Sequence, residues 1–385
     1  MKEVIILTPG PFLKRDYDRF GVDVLKKNFL LKVLDITAWS NPSVWTECCN
    51  KVFKCDEYVS IGCKNDFLNF NSKKKSKIVL DFLGKNQKSN WIRKQFKKQN
   101  STFVKFNLNL IPQEKVNFYS ALKRKLILFK KPKKLISSSF NFINKKYNTL
   151  VGQYNADLLV VGGTAGLHNN NIKDQLFAHC MDYDVYLNLK NKKEKQLNPY
   201  AVFLEDNMTH DADYSILDIL PPVNESQYFP TLIKFLKKFE IDTGLKVKIA
   251  IHPKSSKDFS HLLKDFELLK GNTAEIVKNS SLVLLHASTS MSYAILFNKP
   301  VLFLTSYELS KSWIGPPIKN LAQVIDGKLI NMTSSINDAF KLDSFLNIDK
   351  EKYKNYLDQY LKMPNSLEIP LWEIFTKYIS ENFKK

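Results

Sequence analysis

Short unbroken apolar runs alternate along this chain with stretches whose apolar residues recur every three or four positions. In the first half the runs cover 3–8, 30–36, 57–61, 78–82, 103–108 and 157–161. They are rich in Val, Ile, Leu and Phe and hardly alternate, as strands buried on both faces of a parallel sheet do. Between them, 17–28, 42–53, 87–98 and 116–129 have helical spacing. The second half repeats the scheme, with runs at 200–204, 247–251, 282–285, 300–304 and 328–330 and helical spacing at 230–239, 291–297, 318–324, 349–361 and 367–383. Such βα alternation predicts parallel α/β layers. At 385 residues the chain is long for one core and natural for two. We expect one unit over residues 1–195 and a second over 196–385, with the lysine-rich run 190–195 as the hinge.

Polar chemistry gathers where the second-half runs stop. His252-Pro253 ends one, His286-Ala287-Ser288-Thr289-Ser290 ends the next, and Thr305-Ser306 ends the third. In open α/β sheets ligands bind outside the carboxyl ends of the strands. Ser288, Thr289 and Ser290 also stand before the helical stretch 291–297, where unpaired N–H groups and the helix dipole favour an anion. Each piece has a plainer reading: a Ser/Thr cluster caps a helix, Pro253 stops a strand, and Glu275 with Lys278 forms a solvated pair. Their order over one sheet edge is what points to a phosphate ligand.

The stretch from Lys248 to Thr305 resembles the bacterial sialyltransferases and related CMP-sugar enzymes of the two-domain GT-B fold, which carry a His-Pro motif followed by a Ser-Ser or Ser-Thr motif. The resemblance implies two Rossmann-like parallel-sheet domains facing a cleft. It implies that His252, Pro253, Ser288, Thr289 and Ser290 hold the phosphate of CMP and that Glu275 binds the ribose. It implies as substrates a CMP-activated acidic sugar, a nonulosonic acid or Kdo, and a bacterial surface glycan or glycolipid acceptor. No cofactor or metal is implied beyond the CMP-sugar itself. A final helix that crosses back to the first domain is also part of that pattern.

Two other loops carry candidate chemistry. Gly162 and Gly163 follow the run 157–161 and permit close approach of backbone to a ligand or a tight turn. They lack the G-x-G-x-x-G order of a dinucleotide site, despite Asp182 and Asp184 further on. In the GT-B pattern this loop would face the cleft, so both glycines are candidate nucleotide contacts. Glu205-Asp206-Asn207 stands at the end of the run 200–204, and close carboxylates there suit a general base. The family has Gly where this chain has Asn207, and capping of the following segment is the alternative use of the pair. Glu205, Asp206 and Asp182 are the candidate bases. Asp211 and Asp213 have the letters of a metal motif but sit in a His- and Tyr-containing loop, so we assign them no metal.

Composition adds one feature. The formal charge of +20 is localised: from Lys64 to Lys134, 20 Lys and Arg stand against 3 acids. Biased lysine usage is one explanation; a basic face toward an anionic membrane is the other, with Leu122, Leu126, Ile127 and Phe129 interleaved among the cations near 123–134. No nucleic-acid motif accompanies the lysines. The opening apolar run is short and broken at Pro9-Gly10-Pro11, unlike a secretory signal, and no run reaches the roughly 18 residues of a membrane span. The expectation is a cytoplasmic protein, peripheral on the inner face of the membrane. The rival readings are a transferase or epimerase of the same fold using a UDP- or GDP-sugar, and a non-catalytic membrane-peripheral protein of envelope assembly.

Overall fold

A computed structural model describes residues 1–385 except 9, 73–74, 85, 113–155, 168–171, 173, 194–197, 211–213, 215–218, 253–257, 336–337 and 384–385. The first sheet contains β1 (Glu3–Thr8), β2 (Leu30–Asp35), β3 (Tyr58–Ser60), β4 (Ile78–Asp81), β5 (Thr102–Asn107), β6 (Leu158–Val161) and β7 (Asp174–Phe177). Their order is β3-β2-β1-β4-β5-β6-β7, and every pairing is parallel. The second sheet contains β8 (Tyr200–Leu204), β9 (Lys246–Ile251), β10 (Glu267–Lys270), β11 (Leu282–Leu285), β12 (Val301–Thr305) and β13 (Lys328–Asn331). It runs β10-β9-β8-β11-β12-β13, again all parallel. The two α/β layers expected from the apolar runs are therefore present. β6, β8, β11 and β12 are buried at every position, which is why they read as unbroken apolar runs. β7 and β10 gave no such run because each lies at a sheet edge with half or more of its residues partly exposed.

Each sheet has one point where the chain reverses its direction of travel across the strands, and such points open a crevice at the carboxyl ends. In the second sheet this lies between β8 and β11, paired in register Leu204↔Leu285. In the first it lies between β1 and β4, and the chain leaving β1 runs into the helix Lys14–Arg19. The single helix expected over 17–28 is two, Lys14–Arg19 and Val22–Asn28. Gly21 separates them at φ +56, and a Cβ there would stand 2.2 Å from Trp372 Cδ1.

Trp372 belongs to the closing helix Leu371–Asn382, which returns to the first sheet. Leu371, Trp372, Phe375 and Ile379 are buried in the same cluster as Val4, Ile6, Val22 and Leu25. The helix Met181–Leu189 does the reverse: Cys180 and Tyr183 join the core built on the second sheet. The two crossing segments pair through Cys180 N to Leu361 O (2.7 Å) and Met363 N to Ala178 O (2.9 Å). The expected divide at 195/196 lies outside the described residues, as do the helical stretch 116–129 and the cations of 123–134. Among the described residues no helix is long and apolar enough to cross a membrane.

Candidate active site

A cleft of about 550 Å³ lies between the two sheets. Its second-domain wall carries His252, Thr273, Glu275, Thr289 and Ser290; facing them are Arg15, Asp18 and Arg19 from the helix Lys14–Arg19, and Asp182 and Lys192 from the crossover. Of the sequence-selected residues, His252, Glu275, Thr289, Ser290 and Asp182 thus meet at one place. Ser288 stands behind them, its Oγ accepting from Ser290 N at 3.3 Å. Pro253 lies outside the described residues, as do Asp211 and Asp213.

His252 follows β9. Asn207 Nδ2 donates to its Nδ1 at 2.8 Å, which leaves the ring proton on Nε2 as a donor. Asn207 is buried and holds φ +50, a left-handed conformation that Gly adopts freely and Asn tolerates better than most residues. Asn in place of Gly therefore keeps the turn and gains a side chain that orients the histidine. The neighbouring His286, after β11, has a different fate. It is fully buried, donates Nδ1–H to Leu304 O (2.7 Å) and accepts at Nε2 from the Tyr228 hydroxyl (3.0 Å). Burial lowers its pKa to about 4, so it is a neutral structural group.

The loop 288–290 corrects one expectation. The helix that follows, Met291–Leu296, is only six residues long. The N–H groups of Met291, Ser292 and Tyr293 already donate to the carbonyls of Ser288, Thr289 and Ser290. They are not open to an anion. Thr289 and Ser290 themselves line the cleft. Glu275 lies in the first turn of the helix Thr273–Asn279, after Gly271 (φ +77) and Asn272 (φ +52) turn the chain from β10. Lys278 on that helix is not the solvated partner of Glu275. It is buried, and its ammonium donates to the carbonyls of Leu189 and Lys192, capping the helix Met181–Leu189.

The three candidate bases have distinct surroundings. Glu205 is buried and its Oε1 accepts from Asn207 N at 2.6 Å. Asp206 Oδ2 accepts from Ala287 N at 3.1 Å, tying β8 to β11 across the switch point. Asp182 takes Arg19 Nη2 at 2.6 Å, Ser292 Oγ at 2.7 Å and Tyr293 OH at 3.3 Å. Burial first, then the Asp182 charge, push the Tyr293 phenol up. Asp182 thus joins a first-domain helix to a second-domain helix. Gly162 and Gly163 do not line the cleft: a Cβ on Gly163 would meet Gln359 O at 2.4 Å, and one on Gly162 would meet Leu108 Cδ2 at 2.9 Å. These glycines let the crossing segments close on each other, which corrects their assignment to the nucleotide. The opposite wall, Arg15, Asp18 and Arg19, carried no sequence signal beyond charges spaced at one helical turn.

No family model matches the chain, and no curated protein sequence matches it. Solved structures do share its shape. MurG of Acinetobacter baumannii aligns over 99% of this chain and 100% of its own at 8% identity and a TM-score of 0.51. The wall teichoic acid polymerase TagF aligns over 100% of this chain and 89% of its own at 11% identity and a TM-score of 0.52. The UDP-GlcNAc 2-epimerase of Methanocaldococcus jannaschii, in complex with UDP-GlcNAc and UDP, aligns over 99% and 100% at 12% identity and a TM-score of 0.51. The fold is GT-B-like: two Rossmann-like parallel sheets of seven and six strands.

Proposed function

We propose that this protein is a glycosyltransferase that moves an acidic sugar, a nonulosonic acid or Kdo, from CMP to a surface-glycan acceptor. The reading rests on one observation: His252, Glu275, Thr289 and Ser290, ordered in sequence as in the CMP-sugar enzymes, line a single cleft between the sheets. In this mechanism His252 Nε2–H and the hydroxyls of Thr289 and Ser290 hydrogen-bond the phosphate and stabilise the charge that builds as CMP departs. Asn207 keeps that ring nitrogen protonated by occupying the other. Glu275 takes the ribose. A carboxylate on the cleft activates the acceptor hydroxyl. Asp182 lines the cleft but accepts three hydrogen bonds; Asp18 on the opposite helix holds only Lys14, at 2.6 Å, among the described residues. Asp18 is therefore the better acceptor-side base. The basic stretch from Lys64 to Lys134 would hold the enzyme at an anionic membrane carrying its acceptor.

A second reading, a UDP-sugar enzyme, is supported by the UDP-bound epimerase among the structures of similar shape. Calorimetry with CMP, CDP, UMP, UDP and NAD separates the two. CMP as the preferred ligand is the expected result. A clear preference for UDP would move the assignment to the second reading, and absence of binding by every nucleotide would end both.

A further inference from the structure

Arg15 and Arg19 sit one turn apart on the helix Lys14–Arg19 and both line the cleft. Their states differ. Arg19 is committed: Nη2 donates to Asp182 at 2.6 Å. Arg15 is not. Its nearest carboxylate, Asp16, stands 3.6 Å from Nη2, and Asp16 already accepts from Leu13 N through its other oxygen at 3.1 Å. Arg15 Nε is shielded from solvent and has no partner among the described residues, although the side chain as a whole is 34% exposed. A guanidinium with a shielded, unused N–H beside exposed ones suits a planar oxyanion taken through two parallel hydrogen bonds. Across the cleft stand His252, Thr289 and Ser290, the groups assigned to the nucleotide phosphate.

We infer that Arg15 is a specificity-determining residue that binds a second oxyanion of the donor, the one beyond the phosphate held by the second domain. This rests on the nucleotide reading of the cleft and adds a requirement to it: the donor carries two anionic groups, one for each wall. Two sources present that chemistry, the carboxylate of a CMP-linked acidic sugar and the β-phosphate of a nucleoside diphosphate. Arg19 cannot serve without surrendering Asp182, and Lys192 offers a point charge without the planar fork.

Titration of the full-length protein with CMP, CMP-N-acetylneuraminic acid, UMP and UDP tests this. The wild type should bind the member with two anionic groups in one pair about 10- to 100-fold more tightly than its monophosphate, the range of a charge-assisted hydrogen bond. A gap in the cytidine pair assigns the anion to the sugar carboxylate; a gap in the uridine pair assigns it to the β-phosphate. Arg15→Gln should close the gap while leaving monophosphate affinity within about twofold, and Arg15→Lys should restore part of it. If Arg15→Gln keeps the wild-type gap, or weakens both members of the pair equally, the inference fails and the nucleotide reading stands. If the wild type shows no gap in either pair, the inference also fails. If it binds none of the four ligands, the nucleotide reading fails and takes the inference with it.

Discussion

The two sheets use the carboxyl ends of their strands in opposite ways. In the first sheet the strand-end carboxylates turn inward and are saturated. Asp35, the last residue of β2 and wholly buried, accepts from Phe12 N (3.1 Å), Thr37 N (2.8 Å), the Thr37 hydroxyl and Tyr58 OH (3.3 Å). Burial pushes its carboxyl up, against the pull of those donors. Asp81, the last residue of β4, takes Arg93 through Nε (2.7 Å) and Nη2 (3.2 Å), and Arg93 also donates to Leu83 O and Gly84 O. In the second sheet, His252, Thr289 and Ser290 line the cleft. The same position in a parallel sheet thus serves either as a brace for the loops above it or as a ligand site. Asp35 and Asp81 serve as braces because protein donors already fill their oxygens, and a saturated buried group has nothing left to offer.

Four experiments press on that contrast. The largest effect is expected in the first sheet. Arg93→Ala should cost about 3–5 kcal/mol in urea unfolding, because it leaves Asp81 buried and uncompensated, while nucleotide affinity in the surviving folded fraction stays as in the parent. A loss of affinity without a loss of stability would place Asp81 and Arg93 in the ligand site and erase the contrast.

His286 is the second sheet's own inward-facing group, and pH reads it out. Its folded pKa is lowered from 6.5 to about 4 by burial, so the unfolded chain takes up the proton first as pH falls. Its contribution is therefore fully kept above pH ~6.5 and eroded toward pH ~4, by about 3 kcal/mol at the end of that window. Urea midpoints at several pH values should show a flatter acid limb for His286→Gln than for the parent; parallel limbs would contradict the buried neutral imidazole.

His252→Ala should lower turnover with the CMP-sugar by about 10²-fold, the effect of losing one oriented donor to the leaving group. Its thermal midpoint should stay near the parent's, since this histidine is only half-buried at a strand end and carries little core packing. Wild-type turnover in that variant would remove His252 from the site.

The smallest effect divides the two functions of Asn207. Asn207→Gly keeps the left-handed turn and deletes the amide beside His252, whereas Asn207→Ala also strains the backbone by roughly 1–2 kcal/mol. Both should lose turnover alike, with only the Ala variant losing stability as well. Full activity in the Gly variant would show that Asn207 orients nothing.

Much of the fold was legible because it is written in short-range pattern. β1, β8 and β11 fall where the apolar runs place them, residue for residue, and most other strands differ by a residue or two at an end. The pattern failed where exposure broke it, at the edge strands β7 and β10, and where a glycine split one apparent helix at Gly21. The candidate site was half legible. The second-domain wall follows strand ends and could be picked out; the first-domain wall sits on a helix whose charges look like any solvated face. Gly162 and Gly163 misled because a glycine signals close approach without saying to what.

The sequence by itself determined the two rounds of βα alternation, the strands buried on both faces, and the polar residues that stand at their ends. Each of these follows from neighbours a few positions away, through pleat, helical period and turn conformation. Only the tertiary structure decided which of those polar residues open to the cleft. Arg19 and Asp182 are 163 positions apart, Tyr228 and His286 are 58 apart, and Asn207 reaches His252 across 45. Whether a strand-end group is saturated or open depends on partners brought from such distances, and those partners are chosen by packing within and between the two units.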